Sequence, residues 1–240
     1  MVSTTAHIFF WIVFGVFTLS SSWFFFLATR LPSHQREVHY ITAAITTIAA
    51  IAYYTMAADY GTVPAGPRSF YYARYIDWTL TTPLLLLDLL LLAGADKVRI
   101  TWTIFLDLIM IVTGLFGGLA TDNYKWGYFV FGSVAYIGIL YELLYPVRGL
   151  AATKSQALGK LFDQLAILTL VLWTIYPVVW ILAEGTNSIS LELEVGLYAL
   201  MDMSAKAGFG FWLLHNRVRV EKSVEHVEAA SEGLTAAPAV

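Results

Sequence analysis

Ile189-Ser-Leu-Glu-Leu-Glu-Val-Gly-Leu-Tyr-Ala-Leu-Met-Asp-Met-Ser-Ala-Lys-Ala-Gly-Phe-Gly-Phe-Trp-Leu-Leu214 is a largely apolar run of helical length with a lysine, Lys206, inside it. A lysine at bilayer depth costs roughly 2.5–3.5 kcal/mol on insertion scales. Snorkelling to the interface is usual near helix ends. Lys206, however, stands about ten residues, or roughly 15 Å of helix, from the polar cluster His215-Asn-Arg217. Asp202 precedes it by four residues, which puts carboxylate and amine on one helix face, a turn apart. A buried amine beside a carboxylate is a place for chemistry, and a Schiff base with an aldehyde is one candidate.

The rest of the chain repeats the apolar pattern. Of 240 residues 58% are hydrophobic and 13% charged, with mean hydropathy +0.68. Runs long enough to span a bilayer, about 20 residues each, fall near 6–29, 38–60, 70–93, 100–121, 126–147, 161–183 and 189–214. Lipid admits only helices or closed barrels, and these runs are too long for strands. The expected fold is an all-α membrane protein, a seven-transmembrane-helix bundle. It fills residues 1–220 as one domain, and 221–240 reads as a polar, disordered cytoplasmic tail.

Basic residues set the expected orientation. With the N-terminus outside, the inner segments hold Arg30, Arg36, Lys97, Arg99, Arg148, Lys154, Lys160, Arg217, Arg219 and Lys222, and the outer ones only Arg68 and Lys125. Ten against two supports N-out, C-in. No Lys or Arg precedes Arg30, so the first span lacks the basic start of a signal peptide and is expected to be retained. The absence of cysteine excludes disulfides, and a net charge of -3 implies no nucleic-acid partner. An odd number of spans argues against a simple inverted-repeat transporter.

Ionisable groups inside the spans are functional hypotheses by default. The third span reads Tyr72-Ala-Arg-Tyr-Ile-Asp-Trp-Thr-Leu-Thr-Thr-Pro-Leu-Leu-Leu-Leu-Asp88. Arg74, Asp77 and Thr81 share a face by their spacings of three and four. Asp88, eleven residues beyond Asp77, returns to about that face roughly 16 Å further along. The stripe is a graded path of titratable groups, as a proton relay requires. Pro83 frees a carbonyl that the Thr81 and Thr82 hydroxyls are placed to satisfy. Asp107 in the fourth span fits a neutral, hydrogen-bonded acid as well as an active one. Trp173, Tyr176 and Trp180 make one aromatic face of the sixth span, which with Trp78 could wall a flat conjugated ligand. Glu184, Glu192 and Glu194 read either as solvated loop acids or as a proton exit.

Ala-Arg-Tyr-Ile-Asp-Trp with Thr-Thr-Pro-Leu-Leu-Leu-Leu-Asp, Trp-Thr-Ile-Tyr-Pro-Val-Val-Trp, and Leu-Met-Asp-Met-Ser-Ala-Lys with Gly-Phe-Gly resemble the microbial rhodopsins. The likeness is closest to light-driven proton pumps of the bacteriorhodopsin type and covers residues 6 to about 216. It implies all-trans retinal bound to Lys206 as a protonated Schiff base, and an ion transporter of the cell membrane rather than an enzyme, with no metal site. Asp77 would be counterion and first proton acceptor, Asp202 the second counterion, and Arg74 their coupling to the outer side. Asp88 would be the inner donor, with Thr42 as its hydrogen-bond partner. Glu184 and Glu194 would form the release pair. The implied pocket comprises Tyr53, Trp78, Thr81, Thr82, Leu85, Met110, Gly114, Phe129, Trp173, Tyr176, Pro177, Trp180 and Ala205, with Asp107 near it. Leu85 occupies a position linked in the family to green rather than blue absorption.

Three residues depart from the family pattern: Phe129 where a tryptophan is usual, Gly132 where a serine often lies, and the extra acid Glu192. The implied partners are the lipid bilayer, protons and a homo-oligomer, trimers being common in the family. A photosensory rhodopsin signalling to a partner protein is the alternative. It would share the pocket and often lacks a carboxylate at the position of Asp88. A light-gated channel tends to carry rows of acids, and the second span (Val38–Ala58) has none. A chloride pump would need a neutral residue in place of Asp77, and a retinal-free receptor would show no visible absorbance after retinal is added.

Overall fold

The computed structural model describes residues 4–217 and Val220, so the tail expected over 221–240 lies outside the described residues. Seven long helices follow in order: α1 (Thr4–Thr29), α2 (Glu37–Ala57), α3 (Tyr72–Ala93), α4 (Lys97–Leu119), α5 (Lys125–Lys154), α6 (Gln156–Gly185) and α7. The last begins as Leu191–Asp202, passes through a π-helical turn at Met203–Gly208 and runs on as helix to residue 217. The first six are each long and apolar enough to cross a membrane. In α7 the uninterrupted α-helical run is only 12 residues, because the π turn falls where Lys206 sits.

The helix ends follow local chemistry. Asp96 caps α4 by accepting from the backbone N–H groups of Val98 and Arg99, and those donors hold its carboxyl below the usual range. The Ser155 and Ser190 hydroxyls cap α6 and α7. Gly94 ends α3 in the left-handed region at φ 74°. The α5–α6 connection is a single residue, Ser155, so these two spans extend past the apolar windows 126–147 and 161–183. Between α2 and α3 the chain forms a hairpin that apolar periodicity does not announce. Its strands, β1 (Val63–Ala65) and β2 (Arg68–Phe70), pair antiparallel, with Ala65 opposite Arg68 across a Gly66-Pro67 turn.

α1 packs on α2, α2 on α3, α3 on α4 and α4 on α5, while α6 packs on α7 and α7 returns to α1. A contact of α3 with α6 crosses the ring. Large apolar side chains such as Ile51, Phe105, Phe131, Ile167 and Leu200 stand exposed around the outside, as a lipid-facing surface requires, and the protein is a multi-pass membrane protein. Polar burial is concentrated inside. Arg74, Asp77, Asp88, Asp107, Glu194, Asp202 and Lys206 are all buried. The end of the bundle around Asp88 is packed with Leu85, Leu86, Leu89, Leu165, Phe209 and Leu213.

Pro83 does not interrupt α3. The threonines beside it act differently from expectation: Thr81 Oγ1 donates to the Asp77 carbonyl and Thr82 Oγ1 to the Trp78 carbonyl. Neither reaches the Thr79 carbonyl, which is the one Pro83 leaves without its helical donor. Each hydroxyl reaches back four residues, to positions 77 and 78, and so both pass beyond the Thr79 carbonyl.

Candidate functional site

Lys206 is 2% exposed, and its Nζ lies 2.5 Å from Asp77 Oδ2 on α3 and 3.1 Å from Asp202 Oδ1 on its own helix. The spacing of four places Asp202 below it, and the ring of helices brings Asp77 across from α3. The π turn widens the helix at this point, a distortion common where a helix carries a functional group.

The two carboxylates are unequally supplied. Asp202 Oδ1 accepts from Trp78 Nε1 at 3.1 Å and from the Tyr176 hydroxyl at 2.7 Å, besides Lys206. Its Oδ2 accepts from the Tyr53 hydroxyl at 2.7 Å. Asp77 Oδ2 accepts only from Lys206, and Asp77 Oδ1 has no hydrogen-bond partner among the described residues. Asp202 is thus a saturated anion, while Asp77 keeps an open acceptor beside the amine.

The amine faces a cavity of about 850 Å³, counting its open side. Trp78, Trp173, Tyr176, Pro177 and Trp180 line it with Leu85, Met110, Gly114 and Phe129, and Thr82 and Ala205 line it too. Tyr53 and Thr81 lie behind the carboxylates instead of lining the cavity. Phe129 stacks on Trp180 at 5.2 Å. A Cβ on Gly132 would stand 2.9 Å from Thr113 Oγ1, so the missing side chain lets α5 approach α4 closely. Tyr75, Ile111, Tyr128, Ser133, Tyr136 and Tyr198 also line the cavity and were not singled out by the sequence. A largely apolar chamber that ends at a lone primary amine with paired anions suits an apolar conjugated aldehyde such as retinal.

Two further acids are buried along the bundle. Thr42 Oγ1 on α2 lies 3.0 Å from Asp88 Oδ2 and 2.8 Å from the Val38 carbonyl. The hydroxyl thus donates toward the Asp88 carboxyl while standing against the carbonyl one turn back on its own helix. Asp107 is held the same way: Thr82 Oγ1 lies 2.8 Å from Asp107 Oδ2 and 2.7 Å from the Trp78 carbonyl.

At the other end of α3, Arg74 turns away from Asp77 and Asp202. Its Nη1 donates to Glu194 Oε1 at 2.9 Å, and its guanidinium lies 4.2 Å from the Tyr198 ring centre. Arg68, from β2, donates through Nη2 to Glu194 Oε2 at 2.7 Å. Glu184 is half-buried; its Oε2 accepts from the Tyr198 hydroxyl at 3.4 Å, and its Oε1 has no hydrogen-bond partner among the described residues. Glu192 is half-buried in the first turn of α7.

Two charged groups in the bundle were overlooked as site or network residues. Arg68 reads in sequence as a loop cation only. Glu142 lies inside the fifth apolar run and pairs with Arg99 of α4 at 2.5 Å.

Residues 4–220 match the family model described as bacteriorhodopsin-like protein. The opsin-like protein carO of Fusarium fujikuroi is 44% identical over 218 residues, 85% of this chain and 71% of that protein. Among solved structures, the light-driven proton pump rhodopsin CsR of Coccomyxa subellipsoidea has a TM-score of 0.87 at 39% identity, over 89% of this chain and 97% of its own. The light-driven proton pump LR (Mac) of Leptosphaeria maculans has a TM-score of 0.88 at 37% identity, over 91% and 98%. With the fold, the buried lysine and these matches in agreement, the chain belongs to the bacteriorhodopsin-like rhodopsin family.

Proposed function

We propose that this rhodopsin is a light-driven outward proton pump that carries all-trans retinal on Lys206. The observation that carries the reading is the Lys206 amine, buried between a saturated Asp202 and an Asp77 with an open oxygen, with a second acid, Asp88, further along the same helix. Two similar structures are those of light-driven proton pumps. Retinal, when bound, supplies light absorption and an isomerisation that changes the direction of the proton on the Lys206 nitrogen. Trp78, Trp173, Tyr176 and Trp180 would hold its length, and Phe129 and Gly132 its far end.

The chain's own residues then move the proton. The Lys206 Nζ proton passes to Asp77, whose Oδ2 is 2.5 Å away and whose Oδ1 is unengaged. Asp202 stays anionic because three hydrogen-bond donors besides Lys206 hold it so. Asp88, loaded with a proton and surrounded by leucine, returns a proton to Nζ from the other side. With the N-terminus outside, as the ten-to-two distribution of basic residues indicates, Arg74, Glu194 and Glu184 face outward and Asp88 faces inward. The protein turns over no substrate bond, so its action is transport and not enzymatic catalysis. The seven-helix unit would act as one domain over 1–220. The test is illumination of retinal-supplied cells in unbuffered medium. Acidification that a protonophore abolishes supports the pump, and a coloured protein that leaves the medium unchanged refutes it and favours a sensor.

A further inference from the structure

The β1–β2 hairpin reaches into the charged end of the bundle through one side chain. Arg68 Nη1 donates to the Ala183 carbonyl at 2.5 Å and to Asn187 Oδ1 at 3.5 Å. Its Nη2 donates to the Ile189 carbonyl at 3.5 Å and to Glu194 Oε2 at 2.7 Å. A single guanidinium therefore ties the hairpin to the end of α6, the α6–α7 connection and the start of α7. Glu194 is 2% exposed and has one guanidinium on each oxygen, Arg74 on Oε1 and Arg68 on Oε2. Glu184 has no such clamp. Lys125 is close, but its Nζ is aimed at the Glu184 and Gly185 carbonyls. The other titratable groups around this end are Tyr71 and Tyr75 from α3 and its approach, and Glu192 and Tyr198 from α7.

Resting on the pump reading, we propose that Arg68 is a positioning residue that divides the two outer glutamates: with Arg74 it clamps Glu194 between two guanidinium groups, and it leaves Glu184 as the group that releases the proton. The division follows from supply. A carboxylate between two cations gains from both only while it stays charged. Glu184 keeps one oxygen open and one weak phenol donor, so it has room to hold a proton. On release the O–H bond of the Glu184 carboxyl breaks and the proton passes to solvent water. The proton relayed later from Asp77 re-forms that bond. The hairpin thus sets the pH above which release precedes uptake.

The test follows proton release in the retinal-loaded protein with a pH-sensitive dye after a laser flash, across bulk pH. Removing one cation next to the release group should make it hold its proton more tightly. Arg68→Gln should therefore raise the pH threshold for early release by about 1–3 units, the usual effect of one close charge. Arg68→Lys, which keeps the charge, should restore most of the shift. Asn187→Ala, which removes a contact of the same guanidinium without touching its charge, should leave the threshold unchanged. Glu184→Gln should abolish early release and Glu194→Gln should retain it. If Arg68→Gln yields no pigment, Arg68→Lys and the two glutamate variants decide. An unchanged threshold in Arg68→Gln, equal shifts in Arg68→Gln and Arg68→Lys, or loss of early release in Glu194→Gln overturns the inference. A wild-type protein that does not acidify its medium defeats the pump reading itself, which separates the two failures.

Discussion

Asp88→Asn isolates the inward half of the proposed pathway. Asp88 is fully buried, and Leu85, Leu86 and Leu89 pack with the surrounding core. It stands eleven residues beyond Asp77, roughly 16 Å along α3. Asparagine keeps the shape and a bond to Thr42 but has no proton to give, so the Lys206 nitrogen must then be reprotonated from bulk solvent. At pH 7 a diffusion-limited encounter of about 10¹⁰ M⁻¹s⁻¹ with protons at 10⁻⁷ M sets a ceiling of roughly 10³ s⁻¹. The leucine packing lowers the real rate below that ceiling. The dependence matters more than the ceiling: the late step should slow about tenfold for each unit rise in pH, whereas an internal donor makes it nearly independent of pH. The assay is flash photolysis of the retinal-loaded variant between about pH 5 and pH 9, read at the late absorbance change. Colour and the first transfer to Asp77 should stay close to wild type, and small diffusible acids such as azide should partly restore the late rate. Unchanged late kinetics across that range would refute the reasoning and leave Asp88 as a structural acid that pairs with Thr42.

Other substitutions test the remaining parts. Lys206→Ala should give no covalent pigment, because no other lysine lies within an apolar span, and should cost about 3–5 kcal/mol by leaving two buried carboxylates without their cation; a coloured, covalently linked variant would sink the assignment. Asp77→Asn should shift absorption to the red and stop acidification, and wild-type protein should show a similar red shift in acid. Asp202→Asn should instead lower thermal stability the more of the two, since Tyr53, Trp78 and Tyr176 lose their common anion, at about 1–3 kcal/mol for each donor left unsatisfied; equal melting temperatures for the two variants would contradict the unequal supply. Gly210→Ala would place a Cβ 2.5 Å from the Thr42 methyl and 2.9 Å from the Phe24 ring, so it should cost about 1–3 kcal/mol and alter the late rate through Asp88's partner. Melting curves and flash photolysis check it.

The parts of this protein legible in its sequence are those that period and charge encode locally. Apolar length gave the spans, and the stripe Arg74, Asp77, Asp88 gave the buried charges of α3, since residues on one face need no tertiary knowledge to align. Asp202 and Lys206 were readable for the same reason. The pairing of Arg68 with Glu194 joins positions 126 apart, and no local pattern forecasts which loop cation folds back onto which acid. The π turns at Leu143–Val147, Ile181–Gly185 and Met203–Gly208 have no sequence period of their own. Arg74 was expected to couple Asp77 and Asp202 to the outer side, and its reach to Glu194 comes from an end of α7 that only packing brings near. Glu142 did leave a signal, a charge in an apolar run, and its pairing with Arg99 is the usual resolution of such a charge.

Direction in the proposed pump draws on an asymmetry between the two halves of the bundle on either side of Lys206. Between the Lys206 amine and the Glu184 end, polar groups succeed one another: Asp77, Arg74, Tyr198, Glu194 and Arg68 stand within the same half of the bundle. Between the amine and the opposite end, Asp88 and Thr42 stand in a leucine wall. A proton that has reached Asp77 therefore meets hydrogen-bonding partners in one direction and apolar packing in the other, where its charged form is costly. The return proton must come from the acid already stored on the dry side. Thr42 of α2 donates to that acid and is its side-chain hydrogen-bond partner among the described residues. Thr42→Val removes that hydrogen bond, and should shift the carbonyl stretch of a protonated Asp88 upward in the infrared. An absence of any protonated Asp88 band in the resting wild type would show that the store is empty, and the inward half would then need a different donor.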